Sequence, residues 1–158
     1  FGEDGGFDFM KGLHSNINQY TKSGSAPIKA AGRGETTIGI VFMHDAVKQA
    51  VKGFPVKVVA PAEGTGYEIG SMSIIDGARN MKEAKAFYDW ALSADAQNLA
   101  LEVNAFQVPS NTGAKTSASA PDMSTIKLID YDFKTYGSSA TRKRLLKKWD
   151  DEVSVLAQ

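Results

Sequence analysis

The 158 residues carry 18 lysines and arginines against 18 aspartates and glutamates, so no overall basic field exists to hold a nucleic-acid backbone or an anionic membrane. There is no cysteine, which excludes disulfides, thiolate metal sites and cysteine nucleophiles. Apolar and charged fractions of 42% and 23% are those of a chain that folds, and no apolar run reaches the roughly 18 residues a membrane-spanning helix needs.

Phe9, Met10, Leu13, Ile17 and Tyr20 recur at helical spacing and predict a helix over residues 6–21, broken by Lys22-Ser23-Gly24. Ser25 as N-cap and Pro27 just inside the first turn predict a short second helix ending at Gly32 and Gly34. Residues 37–43 are β-branched and apolar and read as a buried strand, followed by a short helix over Asp45–Lys52. Val56–Ala60 and Ile69–Ile75 read as two further strands, and this alternation predicts an α/β fold class. From Asn80 the pattern turns helical: Asn80 and Glu83 have capping-box spacing, and Ala84, Phe87, Trp90 and Ala91 share a face. Ser93 caps a further helix running to about Val103.

Residues 107–125 are rich in Ser, Thr, Ala, Pro and Asn and read as an extended segment crossing a surface, the best linker candidate in the chain. The last helix begins at Ser138 or Ser139. It carries Leu145, Leu146, Trp149, Val153 and Leu156 on its apolar side and Arg142, Lys143, Arg144, Lys147 and Lys148 opposite. That basic cluster is short and followed at once by Asp150, Asp151 and Glu152, so it reads as a solvated helix face and not as a nucleic-acid patch. The chain opens on Phe1-Gly2-Glu3-Asp4-Gly5-Gly6, with neither an initiator methionine nor a signal region, which reads as a fragment of a longer precursor.

Chemistry concentrates in two stretches, Gly39-Ile40-Val41-Phe42-Met43-His44-Asp45 and Pro61-Ala62-Glu63-Gly64-Thr65-Gly66-Tyr67-Glu68. Each sets polar groups directly after an apolar run, where an α/β protein meets its ligand at strand ends. His44 and Asp45 could be a metal pair, a base with its orienter, or hydrogen-bonding partners of a polyhydroxylated or phosphorylated ligand. The bland alternative makes Asp45 the cap of the next helix and His44 a surface residue. His14, alone at apolar helical spacing, reads as structural. Glu63 is either a ligand contact or a turn acid that satisfies loop amides. Ser23-Gly24-Ser25 precedes free helix-start amides that could meet a phosphate or carboxylate oxygen, although such positions mostly just cap helices. Gly32-x-Gly34 follows a helix and lacks both a phosphate-loop lysine and the full dinucleotide fingerprint, so nucleotide binding is rejected. No nucleophile stands with a base and an orienting third group, so the pattern favours a binding protein over an enzyme and calls for no cofactor and no bound metal.

Lys22-Ser23-Gly24-Ser25-Ala26-Pro27, Arg33-Gly34-Glu35, Pro61 to Glu68, Ala84 to Trp90, Ser93 to Gln97 and Val108-Pro109-Ser110-Asn111 together resemble the periplasmic solute-binding proteins of ATP-driven (ABC) importers. The resemblance covers nearly the whole chain. It is to the branch labelled ferric-iron or phosphonate binding, particularly its hexose-phosphate-binding AfuA-type members, which show a similar His-Asp after this strand. It implies a periplasmic, type II-like two-lobed α/β protein of which this chain is the second half, the missing part including a serine-rich contribution to the anion site. Residues 1–62 would be second-lobe, 63–108 the hinge crossing and return to the first lobe, and 109–158 the crossing segment and terminal helix on the second lobe.

The resemblance also implies that His44, Asp45 and Glu63 line the cleft, with Glu68 as the alternative second acid. Asp45 and Glu63 would accept sugar hydroxyls, while His44 and the amides at Ser23, Gly24 and Ser25 would donate to an anion. The implied partners are a small anionic ligand, a membrane permease and the missing amino-terminal half, and the fragment could pair with a second copy. The iron-binding members resemble one another in a tandem tyrosine where this chain has Phe42-Met43-His44-Asp45, and a methionine offers a ferric ion no anionic oxygen. A ferric-iron carrier and a hydrolase or transferase using His44 and Asp45 are the alternative readings.

Overall fold

In the computed structural model, which describes residues 1–156, seven α-helices follow one another. They are α1 (Gly2–His14), α2 (Ala26–Gly32), α3 (Met43–Val51), α4 (Met81–Ala91), α5 (Ala94–Glu102), α6 (Phe133–Tyr136) and α7 (Ser139–Glu152), with a 3-10 turn at Met123–Thr125. The chain divides into two units, one of residues 1–22 with 130 onward, the other of residues 23–129.

In the first unit, α1 stops seven residues before the sequence predicts. The chain turns after His14, with the Asn16 amide on the Leu13 carbonyl at 2.9 Å and that of Ile17 on the His14 carbonyl at 3.1 Å. Tyr20 then folds back onto His14, ring centroids 5.6 Å apart, and the edge of Trp149 closes the cluster at 6.2 Å from the imidazole. The helical spacing of Ile17 and Tyr20 thus reflects a reversal, not a further turn. His14 is buried, as a structural histidine should be. Its Nε2 lies 3.1 Å from the Leu156 carbonyl and its Nδ1 2.9 Å from the Tyr20 hydroxyl. A carbonyl only accepts, so in the neutral ring Nε2 donates and Nδ1 accepts from the tyrosine.

α7 begins where the sequence places it, with the Ser138 hydroxyl accepting from the Thr141 amide at 3.2 Å. The single turn α6 was not anticipated, although Asp132 caps it by accepting from the Thr135 amide at 3.0 Å. The basic face of α7 is more than solvated. Arg144 grips Glu3 of α1 with two bonds of 2.5 and 2.7 Å, Lys148 reaches Asp4 at 2.7 Å, and Lys11 of α1 reaches Glu152 at 3.0 Å. Lys148 also sits 4.6 Å above the Phe7 ring, so its stem and charge both serve the α1–α7 seam.

In the second unit the helix ends follow their glycine, asparagine and proline signals. α2 carries Pro27 in its first turn and closes at Gly34, whose φ of 75° lets its amide meet the Ala31 carbonyl at 3.0 Å while that of Glu35 meets Ala30 at 3.0 Å. α3 closes the same way at Gly53, and α5 at Asn104, whose φ of 53° is tolerable for asparagine. α2 and α3 pack together, burying Ile28, Ala46 and Val47. Ser93 caps α5 by accepting from the Ala96 amide at 3.2 Å. Asn80 does precede α4 but makes no side-chain cap bond, so the anticipated box with Glu83 is not closed. Segment 107–125 is fastened to α4 and α5. Asn111 donates to the Leu92 carbonyl at 2.8 Å, Gln97 accepts from the Asn111 amide at 2.9 Å, and Asn98 accepts from the Lys115 amide at 2.7 Å.

The predicted strands are the main correction. Residues 37–42, 56–60 and 69–75 run without ladder partners, and among the described residues the sole β-pairing is a parallel bridge between Thr65 and Leu128. Of the α/β class expected, the described residues therefore form the helical part. The apolar side chains that read as buried are open, Ile38 at 78% and Ile75 at 79%. A strand is not a local object: its amides and carbonyls need a neighbouring strand, and its apolar face needs a layer to lie on. Neither is supplied to these runs within the described residues.

Candidate functional site at the head of α3

The apolar run ending at Phe42 delivers two ionisable side chains to the first turn of α3. Phe42 is the N-cap residue, with φ −62° and ψ 137°, and the Asp45 amide bonds its carbonyl at 3.0 Å. Asp45 therefore lies inside the first turn instead of capping it, which overturns the cap reading. There a carboxylate favours the positive end of the helix without closing a cap bond. Successive side chains on a helix diverge by about 100°, not the 180° of a strand. His44 and Asp45 thus share one side of the turn, with Nε2 and Oδ2 3.9 Å apart. That separation suits an ion pair but is long for a hydrogen bond. Both side chains are partly buried, and among the described residues no hydrogen bond engages either. Phe42 lies flat on His44, ring centroids 5.6 Å apart and planes within 15°.

Gly39 brings this segment against α2. A Cβ on Gly39 would stand 2.8 Å from the Pro27 carbonyl oxygen and 2.9 Å from its carbon, so only glycine lets the run leading to His44 lie on the first turn of α2. That turn follows Ser23-Gly24-Ser25. The Ser23 carbonyl accepts from the Ala26 amide at 3.2 Å, and Ser25 precedes the helix without a side-chain cap bond. Just past α2, Arg33 forks onto Glu35 at 2.6 and 2.8 Å, which holds the Glu35 carboxyl below its ordinary value.

Glu63 and Glu68 stand elsewhere in the same unit. Glu63 sits in a turn closed by the Gly64 amide on the Pro61 carbonyl at 3.1 Å. Its own side chain is exposed and accepts no loop amide among the described residues, so the turn-acid reading loses its support. The turn is anchored next door, since Thr65 donates to Lys127 at 3.0 Å and accepts from Ile129 at 3.0 Å. Glu68 lies exposed on the irregular stretch beyond. Among the described residues no ion pair joins either acid to His44, and no group of three or more His, Asp or Glu side chains is placed to hold a metal. Phe42 is the feature that reading the sequence passed over, absorbed into an apolar strand. The available signal was an aromatic residue two positions before a histidine at a helix start.

Residues 1–135 match the model of the bacterial extracellular solute-binding proteins. The chain belongs to that family. Such proteins bind and carry solutes, in keeping with the reading of a binding protein. Among solved structures it is similar to the periplasmic binding protein AfuA from Actinobacillus pleuropneumoniae, determined with exogenous fructose 6-phosphate bound. The identity is 51% and the TM-score 0.92, over 99% of this chain and 49% of that one. It is also similar to the periplasmic binding protein P5PA, at 41% identity and a TM-score of 0.89 over 98% of this chain and 49% of that one. An uncharacterised protein of Haemophilus influenzae is 48% identical over 156 residues, 98% of this chain and 45% of its own length. The chain spans about half the length of these relatives. The resemblance to AfuA-type solute-binding proteins therefore holds, and the periplasmic location it implies is that of both solved relatives.

Proposed function

We propose that this chain is part of the substrate-binding component of an ABC importer, which captures a phosphorylated sugar and presents it to a membrane permease. The observation that carries the reading is the pair His44 and Asp45, set 3.9 Å apart on one side of a helix start with no side-chain hydrogen bond to either among the described residues. A ligand with hydroxyls and an anion supplies what each lacks. Asp45 accepts from sugar hydroxyls, and His44 donates to phosphate oxygens. Carboxylates repel a phosphate, so the acids take the sugar end. The amides at Ser23, Gly24 and Ser25 are the further donors, since Gly39 lays the approach to His44 on the turn they open. Glu63 is the better second acid, because its turn is anchored by the Thr65 bridge, whereas Glu68 is on an irregular stretch.

Supporting the choice of ligand is the fructose 6-phosphate in the AfuA structure, at 51% identity. As part of the same proposal, residues 1–62 belong to the second lobe, 63–108 to the hinge crossing and return, and 109–158 to the crossing segment and terminal helix, with an amino-terminal half as the structural partner. Calorimetric titration of the complete reading frame's product with fructose 6-phosphate tests the function. A ligand at about 100 times its dissociation constant should stabilise the protein by about 2.7 kcal/mol. No response to sugar phosphates, together with a coloured stoichiometric ferric complex, would replace the sugar phosphate by iron.

A further inference from the structure

Phe42 is half exposed, yet its ring is not idle: it lies parallel to the His44 imidazole within 15° at a centroid distance of 5.6 Å. An imidazole donates only in its own plane, and its side-chain torsion is otherwise broad. A flat neighbour on one face therefore fixes the plane in which the nitrogens act. Asp45, 3.9 Å from Nε2, favours one of the two edge-on orientations that the stack permits. Phe42 is itself set by the fold, since it is the N-cap residue of α3 and follows the run that Gly39 holds on Pro27.

From this geometry we infer that Phe42 is a positioning residue for the anion-binding histidine: its ring holds the His44 imidazole in the plane from which it donates to a phosphate oxygen. The inference rests on the reading of His44 as a ligand contact. It assigns Phe42 no contact of its own with the ligand. Aromatic stacking is worth a modest factor, so losing the flat face should weaken phosphate-sugar binding about two- to tenfold.

The test uses the product of the complete reading frame and fructose 6-phosphate as probe, with calorimetry on wild type, Phe42→Leu, Phe42→Tyr, His44→Gln and the double variant Phe42→Leu/His44→Gln. Phe42→Leu should lose about two- to tenfold in affinity, Phe42→Tyr should keep wild-type affinity, and Phe42→Leu should cost nothing further once His44 is glutamine. In the ligand-free protein the His44 ring nitrogen signals should shift in Phe42→Leu and stay in place in Phe42→Tyr. Should the leucine variant unfold, Phe42→Met gives the same comparison, being apolar and of similar volume without a flat face. Wild-type affinity in Phe42→Leu, or an equal loss with and without His44, overturns the inference. If His44→Gln itself binds as wild type does, the assignment of His44 to the ligand fails first, whatever Phe42 does.

Discussion

The α1–α7 seam, in the unit of residues 1–22 and 130 onward, and the head of α3, in the unit of residues 23–129, treat their charged groups in opposite ways. On the α1–α7 seam, acids and bases from the two ends of the chain meet: Glu3 with Arg144, Asp4 with Lys148, Lys11 with Glu152. The buried His14 is likewise spoken for at both nitrogens. At the head of α3, His44 and Asp45 stand 3.9 Å apart with no side-chain hydrogen bond among the described residues, and Glu63 stands open on an anchored turn. Polar groups that satisfy each other build a scaffold, while polar groups left without partners are where a ligand can add free energy. The same contrast separates the two basic features read from the sequence. The cluster on α7 largely pairs with acids of α1 and of its own helix, whereas the proposed function rests on His44 with Asp45.

Four experiments can break or sharpen this contrast. The largest effect is expected at Asp45. Asp45→Asn in the complete protein should cost about 1.5 to 3 kcal/mol of sugar-phosphate binding, about ten- to a hundredfold by calorimetry. Stability should fall by no more than the ~0.3 to 1 kcal/mol of a first-turn carboxylate. Unchanged affinity would place Asp45 with the scaffold groups.

Next comes Gly39→Ala, whose added methyl would stand 2.8 Å from the Pro27 carbonyl oxygen, backbone that cannot swing aside. Overpacking of this kind costs about 1 to 3 kcal/mol, measurable by urea unfolding. Because the run from Gly39 leads to His44, binding should weaken with stability. A variant as stable as wild type would mean that the approach of this run to α2 is loose.

Ser93→Ala should cost about 1 kcal/mol of stability through the lost cap on α5, with sugar-phosphate affinity retained. Thermal unfolding checks the first and calorimetry the second. A loss of affinity would extend the site to α5.

The smallest effect is a pH dependence of the seam. The Arg144 guanidinium bonded to Glu3 holds its carboxyl below the ordinary 4.5. A lowered folded-state value means that the stabilisation is fully present above 4.5 and disappears as the pH falls from there through the folded value. The melting-temperature difference between wild type and Glu3→Gln should be steady from neutral pH down to the ordinary carboxylate value and close below it. The gain is small because the pair is open to solvent. A difference that persists in strong acid would mean that Glu3 acts through packing and not through charge.

Helix starts and stops were legible because their causes lie within a few residues. Ser93 and Ser138 cap where their spacing says, and Gly34 ends α2 because a left-handed residue was needed there. Local reading failed where a distant group intervened. α1 ends at His14 because Tyr20 returns to stack on it and Trp149 and Leu156 complete the pocket around the ring. Asp45 reads as a cap until the helix is seen to start two residues earlier, behind Phe42. Three apolar runs read as strands, yet among the described residues none finds a ladder partner and the one bridge falls outside them, at Thr65, because pairing depends on another segment and not on the run's own composition.

What the sequence alone determined is the class of chemistry: no thiols, no phosphate-loop or full dinucleotide motif, a His-Asp pair after an apolar run, and a family likeness carried by short motifs. Only the tertiary structure decided that His44 and Asp45 share one side of a helical turn, that the Phe42 ring lies parallel to the imidazole, and that the bases of α7 answer the acids of α1. Residue types and caps act over one turn of chain. Which charges are neutralised and which stay available is set by contacts between segments up to 144 positions apart.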